Sequence, residues 1–252
     1  MRDALDVSRM TGPEYAARVR EAPGVLLPLA SQEILGDHGP LGADWLVAGR
    51  VAPRVAQRTG CLHAPAIPYG DTLELSGWVG TVHVPGAVLE GLYEAVARSF
   101  LERGGAKAVV FLAFHSLNLR AADAVCRRLA CEGRRVFAVD WWRAAGQCAA
   151  GLLTDTEHGR GHGSEMAASV LMALGEIPEG TPLPAGEEPM EGLRRVTRHQ
   201  FSQGPFQAYG TFREYCRSGA WGSLQGASAD KGREILDAAV ELIAKGITEG
   251  LA

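Results

Sequence analysis

The segment Ala108-Val-Val-Phe-Leu-Ala-Phe114, running directly into His115-Ser-Leu-Asn118, decides how this chain folds. Seven consecutive apolar residues, several of them β-branched or aromatic, have the length and composition of a strand buried on both faces. The apolar spacing over residues 119–132 then reads as a helix that stops at Gly133. Strand, polar loop and helix in that order predict an α/β fold with a mostly parallel sheet flanked by helices.

Two further apolar runs repeat the arrangement. Gly24-Val-Leu-Leu-Pro-Leu29 reads as a strand and opens into the loop Pro28-Leu-Ala-Ser-Gln-Glu33-Ile-Leu-Gly-Asp37-His38-Gly-Pro40-Leu-Gly42-Ala-Asp44. Arg135-Val-Phe-Ala-Val-Asp140 reads as another strand, delivering Asp140-Trp141-Trp142 to a loop. In a parallel sheet the carboxyl ends of the strands share one edge, so Glu33, His115 and Asp140 are expected to converge there although they are far apart in sequence. Helices are expected over 45–59 with Gly60 as the C-terminal cap, over 88–102, over 166–174 and over 228–247, and a strand over 61–67. The Pro-, Gly- and Glu-rich stretch over 176–191 reads as an exposed connector. One domain over residues 1–252 is therefore expected.

Composition narrows the function. Apolar residues make up 46% and charged residues 21% of the 252, ordinary for a folded soluble domain. A net charge of −4 argues against a nucleic-acid surface, and the pairs Arg127-Arg128, Arg134-Arg135 and Arg194-Arg195 read as solvated surface. No apolar run is long enough to span a bilayer, and residues 1–20 are charged throughout, unlike a signal peptide, so a cytoplasmic protein is expected. The 5 cysteines form no C-x-x-C pair and read as reduced thiols. No G-x-G-x-x-G follows the first strand, which counts against a dinucleotide site.

Glu33, Asp44 and His115 are the residue types that hold a catalytic zinc, manganese or iron ion while leaving room for water. Each also has a plainer reading. Asp44 is able to cap a helix starting at Trp45, Glu33 to be a solvated loop carboxylate, and His115 to be a satisfied structural histidine. A second glycine-rich cluster, Glu157-His158-Gly-Arg-Gly-His162-Gly-Ser-Glu165, is another candidate site. His63, His83, His158 and His199 read as structural or surface histidines, and Trp78 and Trp221 as packing residues.

Taken together, these motifs resemble the creatininase (creatinine amidohydrolase) family. The first loop is similar to that family's G-S-x-E-Q-H-G-P-H-L-P-L-G-T-D, and Ala113-Phe-His115-Ser-Leu-Asn118 to N-G-H-G-G-N. His162-Gly-Ser-Glu165-Met-Ala-Ala-Ser169 resembles H-A-G-E-x-E-T-S, and Pro68-Tyr-Gly70 with Gly80-Thr81 resembles the substrate-side loop and the P-G-T segment, Val79 standing for the proline. Gly219-Ala-Trp-Gly222 and Lys231-Gly232 resemble the family's C-terminal motif.

The resemblance implies metal-dependent hydrolysis of a C–N bond, in a small-molecule amide, lactam or formamide-like group or a short peptide, by a homo-oligomer that is commonly a hexamer. It implies Glu33, Asp44 and His115 as ligands of one metal, His162 as a proton carrier beside the substrate, Trp141 or Trp142 as an aromatic substrate wall, and Tyr69 on the substrate-side loop. Three positions depart from the pattern: Leu35 replaces the second-metal histidine, Ala167 the second acid of E-x-E-T-S, and Leu117 a glutamate found in some members. One metal per chain is therefore expected, with Asp37, His38, His162 or Glu165 as the further ligand or general base. The alternative is a catalytically silent binding or scaffold protein that kept the fold and lost the centre.

Overall fold

A computed structural model describes residues 3–184, 186–187, 212–214 and 216–252. Arg194-Arg195, His199 and the far end of the connector lie outside these residues. Helix α1 (Gly12–Glu21) opens the fold, closed at its start by a reciprocal pairing of Thr11 and Glu14. It was not anticipated, because its charged residues mask a weak apolar stripe of which only Val19 is buried. Strand β1 (Val25–Leu29), helix α2 (Ala43–Thr59), strand β2 (Leu62–His63), helix α3 (Gly86–Arg98), strand β3 (Val109–Ala113), helix α4 (Asn118–Cys131) and strand β4 (Val136–Asp140) follow. Helices α5 (Trp141–Cys148) and α6 (Glu165–Ala173) come next, then strands β5 (Gly186–Glu187) and β6 (Gly222–Ser223), which pair antiparallel, and finally helix α7 (Ala229–Leu251).

The main sheet has the order β2-β1-β3-β4, and every pair is parallel. Val25, Val109 and Val136 stand in register across β1, β3 and β4. Alternate residues point to opposite faces. Leu26, Val110 and Leu112 pack with α2, α5, α6 and α7, whereas Val25, Leu27, Val109 and Phe111 pack with α1, α3 and α4. Apolar side chains are needed on both faces, which is why β1 and β3 read as continuous runs rather than alternating ones.

Two expectations about elements are corrected. The strand expected over 61–67 shortens to Leu62–His63, with one isolated bridge between Leu29 and Ile67, because Pro65 and Pro68 cannot donate to a ladder. For the same reason Pro28 is tolerated in β1: it lies beyond the end of β2, where only its carbonyl is used, by Ile67 N–H. The loop expected after β4 is instead a helix. Asp140 ends the strand and caps α5 in the same step, its carboxylate accepting from the Arg143 amide.

Candidate metal centre

Three elements deliver three side chains to the carboxyl edge of the sheet. Glu33 follows β1, with its amide held by the Leu41 carbonyl at 2.8 Å. Asp44 sits inside the first turn of α2, which begins at Ala43 with Gly42 as its cap, so Asp44 does not cap the helix and its side chain is free to turn inward. His115 follows β3 in a turn closed by the bond from Asn118 N–H to His115 C=O. All three are buried, and one ligand atom from each lies within 4.8 Å of the others.

Hydrogen bonds settle how each group points. His115 Nε2 lies 2.7 Å from the Asp71 carbonyl. A carbonyl only accepts, so Nε2 carries the proton and Nδ1 faces the acids, 2.9 Å from Glu33 Oε2 and 3.5 Å from Asp44 Oδ2. Asp44 is held on both oxygens, by Ser31 Oγ at 2.9 Å and by Trp142 Nε1 at 3.0 Å. His162 repeats the pattern. Its Nε2 donates to the Ile34 carbonyl at 2.8 Å, leaving Nδ1 3.8 Å from Glu33 Oε1.

The electrostatics are those of a site short of positive charge. Burial and then the Glu33 charge push the Asp44 carboxyl above its ordinary range. Burial opposes a charged His115, yet the Glu33 and Asp44 carboxylates outweigh it and hold the imidazole well above its usual value. Burial likewise opposes an ionised Glu33, and the charges of His115 and His162 reverse the balance and lower its pKa. Glu33 Oε2 still receives no well-directed hydrogen bond. Two buried carboxylates sharing one imidazole are costly without a further cation. The donor set, two oxygens and one oriented nitrogen, fits a divalent ion of the zinc, manganese or iron type.

The creatininase family model, described as creatinine amidohydrolase, matches residues 8–247. The chain belongs to the creatininase family. A creatinine amidohydrolase of Pseudomonas putida is 30% identical over 270 positions, covering 99% of this chain and 98% of the relative. A mycofactocin precursor peptide peptidase of Mycolicibacterium smegmatis is 35% identical over 118 positions, 44% of this chain and 47% of the relative. Two solved creatininases, a manganese form and a mutant of Zn-Zn type, superpose with TM-scores of 0.73 and 0.72 at 23% identity. The first alignment covers 97% of this chain and 98% of the other, the second 97% of each, and both show a shared fold.

Within this creatininase-family chain the remaining site residues are dispersed. His38 is half-buried, and burial lowers its pKa against an opposing contribution from the Gly163 backbone. Asp37 is exposed, and Tyr69 is 44% exposed on its loop. Glu165 turns away from the triad. Its fully buried carboxylate accepts from the amides of Thr154 and Asp155 and pairs with Lys231 Nζ at 2.5 Å, tying α6 to α7.

Both tryptophans expected as an aromatic wall are buried. Trp141 is fully buried in the core against Phe114, and Trp142 spends its indole N–H on Asp44, so neither lies open as a flat surface. The aromatic ring beside His162 is Phe212, 5.0 Å away and edge-on, backed by Trp221. Residue types alone did not mark Phe212, Ser31 or Asp71, because each acts through a neighbour far away in sequence.

The side chains of Leu35, Leu117 and Ala167 offer no atom that could ligate an ion. Leu35 and Ala167 are buried among core side chains, and Leu117 precedes α4 as its cap residue. Among the described residues, Glu33, Asp44 and His115 are the one group of three able to hold an ion.

Proposed function

We propose that this chain is a metal-dependent hydrolase cleaving an amide-type C–N bond, in a lactam, a formamide-like group, another small amide or a short peptide, with one divalent ion at Glu33, Asp44 and His115. The buried triad, with His115 aimed by a backbone carbonyl, is the observation that carries this reading. A zinc, manganese or iron ion bound there supplies Lewis acidity to a carbonyl and lowers the pKa of water. Glu33 and Asp44 give the site its negative charge, and Ser31 and Trp142 hold Asp44 in place. His162, with its Nε2 proton committed to Ile34, keeps Nδ1 to take a proton from the attacking water and return it to the leaving nitrogen. Membership of the family and the relatives' printed activities, creatinine amidohydrolase and precursor peptide peptidase, support the C–N bond as the target.

A second reading, a silent binding or scaffold protein, is favoured by Leu35, Leu117 and Ala167 at the second-metal positions. Metal analysis of protein purified without chelators, combined with a panel of lactams, linear amides and short peptides, separates the two. About one ion per chain and hydrolysis abolished by Glu33→Gln is the expected result. Two ions would contradict the single-ion reading, and no ion with no turnover would establish the silent scaffold.

We also place the protein in the cytoplasm as a homo-oligomer. The exposed apolar side chains of Leu73, Val79, Val88 and Leu92 support self-association, which light scattering tests directly. No described helix is long and apolar enough to cross a membrane.

A further inference from the structure

We infer that Asn118 is a positioning residue for the metal centre: its carboxamide clamps two loops together and thereby aims His115. The side chain is fully buried, and both ends are used. Nδ2 donates to the Ala30 carbonyl at 2.9 Å, and Oδ1 accepts the Asp71 amide at 3.0 Å. The Asp71 carbonyl then accepts His115 Nε2–H at 2.7 Å, and the His115 carbonyl accepts Asn118 N–H at 3.0 Å. These contacts close a ring running from His115 through Asn118 and Asp71 back to His115.

The clamp reaches a second ligand as well. Ala30 adjoins Ser31, whose hydroxyl donates to Asp44 Oδ2. One amide therefore fixes the loop that steadies Asp44 and the carbonyl that sets the His115 proton on Nε2, leaving Nδ1 directed at Glu33 and Asp44. The task needs a donor and an acceptor on one short side chain. Aspartate would lose the donor and add negative charge beside two carboxylates, and leucine would lose both functions.

Gly70 shows how tightly the clamp is built. A Cβ at this position would stand 2.5 Å from Asn118 Oδ1 and 2.9 Å from the Ala30 carbonyl. Its φ is not among the positive ones, so the close approach, rather than backbone conformation, is what demands glycine here.

The effect on metal affinity rests on the metal reading above; the clamp itself is testable without it. Protein labelled with 15N-histidine, zinc-free and zinc-loaded, is read for exchange of His115 Nε2–H with water, and zinc affinity is measured by chelator competition. Asn118→Ala and Asn118→Asp should speed that exchange by about tenfold or more. They should also weaken zinc by about 10- to 100-fold, as loss of a group orienting a ligand does. Gly70→Ala should do the same in the wild-type background, yet weaken zinc by a smaller factor on top of Asn118→Ala, because of the close contacts at Gly70 only the Ala30 carbonyl then remains.

A purely structural Asn118 would lower the melting temperature in every variant while leaving exchange and zinc affinity unchanged, and that result overturns the proposal. Wild-type protein that binds no zinc refutes the metal reading, and exchange in the zinc-free variants still decides the clamp. Should Asn118→Ala not fold, Gly70→Ala alone decides it by the same two readouts.

Discussion

Trp142→Phe is the sharpest probe of how the centre is held. The change keeps an aromatic ring beside Trp141, whose centroid lies 6.3 Å from that of Trp142, and removes the indole N–H that donates to Asp44 Oδ1 at 3.0 Å together with part of the bicyclic ring. The acceptor is a buried carboxylate whose pKa burial and Glu33 already raise, so the loss is not made good by water. A hydrogen bond to a charged group in such a place contributes about 1.5–3 kcal/mol. At about 1.4 kcal/mol per factor of ten, zinc should bind roughly 10- to 150-fold more weakly. Ser31 Oγ still holds Oδ2, which places the effect toward the lower half of that range. Chelator competition gives the affinity, and a thermal melt of the zinc-free protein checks that the fold survives. Zinc affinity within twofold of wild type in a folded Trp142→Phe protein would refute the argument, because Asp44 would then need no support from the indole.

Other outcomes follow from individual contacts. Lys231→Met leaves the fully buried Glu165 carboxylate with amide donors only. Removing one partner of such a pair costs about 3 kcal/mol or more, and the double variant with Glu165→Gln should recover at least half of it in urea unfolding. A double variant whose loss equals the sum of the two single losses would show that the pair is not coupled. Gly222→Ala meets both a φ of +106° and a Cβ position 2.2 Å from the His158 carbonyl, and should lower stability by at least about 2 kcal/mol. An unchanged melting temperature would mean the loop beside His162 relaxes freely.

Asp140→Asn tests the pH dependence. Burial raises the Asp140 carboxyl above its ordinary value against the opposing Arg143 amide and Ser116 hydroxyl, so the folded state holds this proton more tightly than the unfolded one. Wild-type stability from this group is therefore lost as pH climbs from the unfolded toward the folded pKa. Asparagine keeps the cap acceptor, so its advantage over wild type should grow as the pH rises above about 4, the unfolded carboxyl's range. A flat or falling difference would contradict the burial argument.

Much of the sheet was legible in the chain itself. The apolar runs over 24–29, 108–114 and 135–140 became Val25–Leu29, Val109–Ala113 and Val136–Asp140, each within a residue or so at its ends. Strands β1 and β3 are packed on both faces and so must be apolar throughout, whereas β4 at the sheet edge is only partly buried. Helix α5 escaped notice because a strand that ends on a capping aspartate leaves no loop residues to mark the change. Helix α1 escaped because a surface helix with one buried side chain has almost no apolar period to read.

The candidate ligands were legible as residue types but not as a set. Nothing local told an inward-facing Asp44 from a helix-capping one. One residue of helix start, at Ala43 rather than Trp45, and an indole 98 positions away turn it toward Glu33 and His115. That Leu35, Leu117 and Ala167 offer no ligand atom could be read directly, because it is a matter of side-chain chemistry and needs no geometry. The direction of His115, the diversion of Glu165 to Lys231 and the clamp through Asn118 depend on which loops meet at the sheet edge. Hydrogen bonds are short and directional, so they record tertiary neighbours, whereas the apolar pattern of the strands records only burial.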